Sequence, residues 1–320
     1  MTSDSRENQK IIFVIGSTAS GKSQWAMSLA KKYNGSILNI DSVQFYEGLV
    51  IGSAAPTQAE KSEIPHYLYN YVQAPIEMTA GQFLRDFYKL IDCENFNSKK
   101  IKFPLFVVGG TGFYIQALEK GMFNVPEISV DLKLQIENEI KDFGNEKAYQ
   151  ELIAFDPNTQ IHVNDAYRIG RALEIKRAFG QTMTQLQAEF ENSKKMDLKI
   201  PFIKIGKFLD KDVLFKNVTE RTHKMLDSGI INEVEYFMGH NHADWAPIRS
   251  VGYFEVLKYL KSEITKENLP AEIIQSTMQL IKKQKTWFKR DQTVLWSTAD
   301  GLIENEIEQK IDLFLNESKI

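Results

Sequence analysis

The sequence predicts an α/β fold: a parallel sheet core flanked by helices and interrupted by an inserted all-helical domain. Three observations predict it. Continuous apolar runs at 11–15 (IIFVI) and 36–41 (SILNID), and a third inside 104–114 (PLFVVGGTGFY), are the pattern of strands buried on both faces. The first run leads into GSTASGKS, where Gly16, Gly21, Lys22 and Ser23 fit G-x-x-x-x-G-K-[ST], and then into a helical stretch, so strand, phosphate loop, helix and second strand form one βαβ unit. The core is therefore expected to be P-loop NTPase-like. Residues 122–200 instead alternate charges with helical apolar spacing and offer no convincing strand, and strands resume near 201. The expected domains are 1–121 plus 201–320 as the core and 122–200 as the helical insertion.

The elements follow in order. Residues 1–10 (MTSDSRENQK) read as a polar, frayed tail without a hydrophobic signal core. A helix is expected from Lys22 to Lys32 with Trp25, Met27 and Leu29 inward, ended by Asn34-Gly35. The second strand ends in Asp41. Residues 42–78 are turn-rich and hard to assign, yet long enough to suggest function. Residues 79–92 read as a helix, with Thr79 and Gln82 at capping-box spacing and Phe83, Phe87, Leu90 and Ile91 as its apolar stripe. The third strand breaks into Gly109-Gly110-Thr111-Gly112. Further strands are expected in 200–208 and 293–296, and helices over 128–190, 209–238, 253–262 and 270–290.

Composition narrows the classes. The chain has 320 residues, 43% apolar and 25% charged, which permits a packed core and argues against wholesale disorder. Its formal net charge of −3 argues neither for nor against a polyanion partner, so any nucleic-acid site must be a local basic patch. The single cysteine, Cys93, can form no internal disulfide and is expected as a small core residue. No apolar run approaches the roughly 20 residues needed to span a bilayer. A cytoplasmic protein with no membrane association is the expectation, and a monomer, since no heptad seam is legible.

Several stretches can carry chemistry. In the phosphate loop, glycines let successive N–H groups converge on one anion, the next helix adds its positive end, Lys22 adds a charge, and the Ser23 hydroxyl suits Mg²⁺. Asp41, at the carboxyl end of a parallel strand, should share that crevice. It could bind Mg²⁺, act as a base, or be a turn residue. The GGTG loop should open on the same crevice, although a tight strand-to-helix turn would look alike. Arg168 and Arg171 lie one helical turn apart; Lys282, Lys283, Lys285, Lys289 and Arg290 are interleaved with Trp287 and Phe288. Cations among aromatics suit RNA, and the bland alternative is a solvated helix face. His240 and His242 in HNHADW read as a polar loop rather than a metal site.

The stretches GSTASGKS, NIDSVQFYEGLVIGSAAP, VVGGTGFYIQAL, DAYRIGRALEI and KKQKTWFKR, in that order, resemble the bacterial tRNA dimethylallyltransferases, also called tRNA isopentenyltransferases. The resemblance covers most of the chain, and the second and third stretches are more specific than the phosphate loop. It implies an enzyme that transfers the dimethylallyl group of dimethylallyl diphosphate to N6 of the adenosine just 3′ of the anticodon in tRNA. The loop would then hold a leaving group, with Mg²⁺ as cofactor and the anticodon stem-loop as macromolecular partner.

The resemblance also implies roles. Gly16, Ser17, Thr18, Ala19, Ser20, Gly21, Lys22 and Ser23 would cradle the diphosphate, with Ser23 near the metal. Asp41 would be the general base, with Thr111 and Lys22 beside the reacting centre. Ser42, Val43 and Gln44, together with Asp41 and Thr111, would contact tRNA, as would Asn164, Asp165, Ala166, Tyr167 and Arg168. The chain departs from the family pattern where arginines are usual: Lys211 and Asn217 stand there, while Arg221 keeps its place, so Lys211 and Arg221 are the cations expected to meet the diphosphate from this side. From the residues alone a phosphate-loop kinase, with Asp41 as base toward a hydroxyl, would compete; so would a nucleotide-gated RNA-binding module without covalent chemistry.

Overall fold

A computed structural model describes residues 9–92, 101–122, 128–193, 198–297 and 302–317. Cys93 and the tail up to residue 8 lie outside them. The backbone forms two compact units, Met1–Gln116 with Lys199–Ile320, and Ala117–Leu198.

The first unit is built on six strands: β1 (Ile11–Gly16), β2 (Ser36–Asn39), β3 (His66–Tyr67), β4 (Leu105–Gly109), β5 (Phe202–Lys207) and β6 (Val294–Ser297). Every pairing is parallel, in the order β3-β2-β4-β1-β5-β6. All six residues of β1 are buried because both faces of the sheet are covered. Ile12 and Val14 pack with Phe106, Val108 and Ile205 against Trp25 and Leu29 of α1 (Lys22–Lys32) and Ile307 and Ile311 of α12 (Leu302–Asn316). α3 (Ala80–Asp92) buries Phe83, Phe87 and Leu90; Phe83 meets Phe45 at 5.7 Å and Tyr114 at 5.5 Å between ring centroids. Tyr114 lies on α4 (Gly112–Lys120), which follows β4. Four more helices bear on the site: α8 (Lys211–Asp227), α9 (Ile230–Gly239), α10 (Tyr253–Leu260) and α11 (Leu269–Phe288). Among the described residues no helix is long and apolar enough to cross a membrane.

Several expectations change. Lys10 is not frayed: it is buried, and its Nζ donates to the carbonyls of Phe314 (2.6 Å), Leu315 (2.9 Å) and Glu317 (2.7 Å) at the end of α12. The segment after Asp41 contains α2 (Gln58–Glu63), which has no buried face and is started by a capping box between Thr57 and Glu60. Thr79 caps α3 as expected, accepting from Gln82 N–H at 3.1 Å, but the Gln82 amide turns along the helix to Asp86 at 2.8 Å. The run expected over 209–238 breaks at Gly229, whose φ of 98° suits glycine.

The second unit is helical: α5 (Val130–Phe155), bent at Gly144, then α6 (Ala166–Phe179) and α7 (Met183–Ser193), closed around Ile136, Leu152, Ile169, Ala172 and Leu173. Asp165 is the N-cap of α6, accepting from Arg168 N–H at 3.1 Å. Tyr167 beside it is 80% exposed.

Candidate active site

In a parallel sheet the loops after each strand emerge on one edge. Here three such loops leave neighbouring strands: 16–23 from β1, 40–44 from β2 and 109–112 from β4. Gly21 has φ 81°, a left-handed turn that starts α1, and a side chain there would have open space, so conformation rather than crowding calls for glycine. Ala19 also takes positive φ, 62°, which is uncommon for a residue with a Cβ. Its carbonyl accepts from Asn217 Nδ2 at 3.0 Å, so the asparagine of α8 that departs from the family pattern supports this turn.

Lys22 bends back over the loop, its Nζ donating to Ser17 O at 3.3 Å. Burial lowers its pKa to about 8, with Asp41 opposing that shift and Arg221 adding to it. The Arg221 guanidinium is likewise held below its ordinary value by burial and is drawn the other way by Asp41. Two desolvated cations therefore lie within electrostatic reach of one carboxylate beside the phosphate loop. Such a cluster favours an arriving anion, which restores the cations' lost solvation. Ser17 and Ser20 are buried in the loop, and the Ser20 hydroxyl has no hydrogen-bond partner among the described residues.

Asp41 is held from both sides. Its N–H donates to Asn39 Oδ1 at 2.7 Å, and its Oδ1 accepts from Val43 N–H at 3.1 Å, so the turn role leaves its second oxygen for other partners. Fully buried Asn39 also bonds the carbonyls of Asp41 and Leu68, which fixes the strand end. Ser42 N–H donates to Thr111 Oγ1 at 3.1 Å, joining the Asp41 and GGTG loops. Gln44 Nε2 donates to Ser53 O (2.9 Å) and Ala54 O (3.1 Å), which fixes its amide orientation and leaves Oε1 as the presented acceptor.

The loop accepting those bonds is itself pinned. Glu233 of α9 accepts from the N–H groups of Val50, Ile51 and Gly52, at 3.0, 2.7 and 3.3 Å, and from Tyr253 Oη of α10 at 2.8 Å. Arg221 donates to Gly52 O at 3.2 Å. Asn39, Asn217, Glu233 and Tyr253 thus support the site, and only Asn39 lies in a stretch marked in the sequence, where no role was read for it. Only their spacing from the motifs in three dimensions reveals them.

The GGTG glycines make room for protein. A Cβ on Gly109 would lie 2.7 Å from the Ile40 backbone, and one on Gly112 2.1 Å from the Trp287 ring. Lys211 stands exposed at the start of α8, with no hydrogen bond or ion pair to the loop among the described residues. On α11, Lys282 and Lys283 are exposed, whereas Lys285 donates to Leu209 O at 2.8 Å and lies 4.3 Å from the Phe208 ring centre. Phe288, read above as one of the stacking aromatics, is a core residue, 4% exposed, packed 6.1 Å from Trp296. Asn164 to Arg168 belong to the second unit, where Arg168 pairs with Asp165 at 3.4 Å.

A phosphate-type loop between β1 and α1 of an all-parallel sheet places the chain in the class of phosphate-loop α/β proteins. Its sequence is more specific. The family model described as IPP transferase matches residues 44–291, and one described as isopentenyl transferase matches 9–78. A tRNA dimethylallyltransferase of Bdellovibrio bacteriovorus is 47% identical over 298 residues, 92% of this chain and 95% of that protein. The structure is similar to a tRNA isopentenylpyrophosphate transferase of Bacillus halodurans (TM-score 0.67, 26% identity, 97% of each chain). It is also similar to a eukaryotic dimethylallyltransferase described as acting on tRNA (TM-score 0.74, 26% identity, 95% of this chain and 77% of that one). The chain belongs to the IPP transferase family, the tRNA isopentenyltransferases, and is a prenyltransferase.

Proposed function

We propose that this enzyme transfers the dimethylallyl group of dimethylallyl diphosphate to N6 of the adenosine just 3′ of the anticodon in tRNA, releasing diphosphate. The observation that carries the reading is a phosphate loop, with Lys22 folded over it, beside the Asp41 loop, with Lys22 and Arg221 both within electrostatic reach of Asp41. A departing anion and an attacking amine need opposite partners within one crevice, and this cluster supplies both. The Bdellovibrio bacteriovorus relative, named as a tRNA dimethylallyltransferase, agrees with it.

In the proposed reaction the bond from C1 of the prenyl group to the diphosphate oxygen breaks, and its electron pair leaves with the diphosphate. The N6–C1 bond forms, and the N6 proton passes to the Asp41 carboxylate. An exocyclic adenine amine is a weak nucleophile, so a positioned base is worth about 10²–10⁴-fold. Loop residues Thr18 to Ser23, with Lys22 and Arg221, stabilise the growing negative charge where it appears. Thr111 holds Ser42, which keeps the Asp41 loop in place. Gln44 would present Oε1 to an exocyclic amine rather than to a carbonyl, which favours adenine over guanine. The target base leaves its stack to enter, at a cost of a few kcal/mol that a single-stranded loop reduces.

Among the described residues no group of three or more His, Cys, Asp or Glu could cage a metal. Mg²⁺ on phosphates draws most ligands from the substrate and water, so the Ser23 hydroxyl in the first turn of α1 suits it as the protein ligand. When bound, the ion would supply charge neutralisation for the diphosphate. Asn164 to Arg168 would contact the stem-loop, with Tyr167 offering an exposed ring. The enzyme would act as a cytoplasmic monomer.

The test is direct. The protein is incubated with labelled dimethylallyl diphosphate, Mg²⁺ and an anticodon stem-loop bearing adenosine after the anticodon. Label on N6 after nuclease digestion is the expected result. Consumption of ATP with no label on any such RNA would overturn the reading.

A further inference from the structure

The phosphate loop and the loop carrying Thr111 are joined by one side chain from a distant part of the sequence. Gln284, on α11, accepts at Oε1 from Thr18 N–H at 2.8 Å and donates from Nε2 to Gly110 O at 3.2 Å. The amide has only one orientation here: turned over, it would set oxygen against carbonyl and N–H against N–H. The fit is close, since a Cβ on Gly110 would come within 2.6 Å of Nε2. From Gly110 the path continues through the next residue, Thr111, whose Oγ1 takes the N–H of Ser42, the neighbour of Asp41. A continuous path of covalent and hydrogen bonds therefore runs from the leaving-group loop to the carboxylate.

We propose that Gln284 is a positioning residue for the transfer: it sets the spacing between the diphosphate cradle and the Asp41 side of the cleft. This rests on the reaction proposed above. In-line displacement needs the leaving oxygen, the prenyl carbon and the attacking nitrogen in register, and a misplacement of about 1 Å can cost on the order of 10²-fold. Gln284 touches no reacting atom. It acts through the Thr18 backbone on one side and the Gly110 carbonyl on the other. Its bond also turns the Thr18 N–H toward Gln284, while the carbonyl of the same peptide, Ser17 O, takes Lys22 Nζ, so that peptide is fixed at both ends before any ligand arrives and the N–H groups that follow it remain for the anion. The glycines at 110 and 112 gain a reason of their own, because they admit Gln284 and Trp287 against the loop.

The experiment measures single-turnover transfer in the full-length protein with dimethylallyl diphosphate and stem-loop RNA. It compares wild type, Gln284→Met, Gln284→Glu and each of these combined with Asp41→Ala. Direct binding of both substrates is measured in parallel. Gln284→Met keeps length and loses both bonds; Gln284→Glu keeps the acceptor for Thr18 and loses the donor, so it serves if the Met variant does not fold. The expected result is a rate loss of about 10-fold or more in both single variants, with both dissociation constants within about threefold of wild type. In the Asp41→Ala background the same changes cost less than about threefold, because the partner being aligned is gone. A variant as fast as wild type, a loss confined to substrate affinity, or an equal loss in both backgrounds would overturn the proposal. Failure of the wild type to transfer label would instead strike the proposed reaction.

Discussion

At the scale of single residues, the site depends on charges removed from water. Lys22 loses solvation in the crevice, which brings its pKa down to about 8, and only part of that loss is offset by Asp41. The sign of the consequence is fixed. Below about pH 8 the ammonium form dominates and the loop is ready for an anion; above it the free enzyme loses that proton. Diphosphate bound beside Lys22, as proposed, would stabilise the ammonium, so binding on the alkaline side would draw a proton from solution. Titration calorimetry with dimethylallyl diphosphate in two buffers of different ionisation enthalpy should show proton uptake at about pH 9 and little at about pH 7. Affinity should fall between those values. Equal affinity and no uptake on the alkaline side would mean that Lys22 does not meet the diphosphate. Legibility at this scale was uneven. The loop motif marked Lys22 in the sequence, and the strand end marked Asp41. Asn39 and Gln284 sit inside stretches that carry the resemblance, yet like Asn217 and Glu233 they gave no sign of their role, because an amide or carboxylate becomes significant only through partners such as Leu68, Ala19, Gly110 and Gly52 that lie 29 to 198 positions away.

At the scale of elements, the strands buried on both faces were readable because apolar runs of that length have few other homes. β3 was not, since two residues show no periodicity. α2 lacks an apolar stripe, and its only signal was the Thr57 to Glu60 capping box. α12 did have a stripe, Ile307 and Ile311, though its acidic sequence gave no hint of the sheet it covers or of Lys10 closing its end. α11 shows best how a basic stretch divides once folded. Its inner side offers Gln284 and Phe288 to the core and Lys285 to Leu209 O, while Lys282 and Lys283 stay in solvent. If the outer side contacts RNA phosphates, replacing Lys282 and Lys283 by Ala should lower the salt slope of tRNA binding by about one per lysine. Lys285→Ala should leave that slope unchanged. Filter binding across a range of salt concentrations checks both, and a slope that responds to Lys285 alone would reverse the division.

At the scale of the whole molecule, the parallel sheet gathers the loops after β1, β2 and β4 on one edge, so residues 16–23, 41–44 and 111 share a crevice although Ser23 and Thr111 lie far apart along the chain. The family membership follows from matches along most of the chain, and the helical unit carries the exposed Tyr167 and Arg168 that the reading assigns to tRNA. The central claim is that leaving group and nucleophile are handled together, with Asp41 taking the proton. Its most direct test is the single-turnover rate of prenyl transfer from a preassembled complex of protein, dimethylallyl diphosphate and stem-loop RNA, compared between wild type and Asp41→Ala. The account predicts a fall of about 10²-fold or more with both substrates still bound. An undiminished rate in that complex would contradict it.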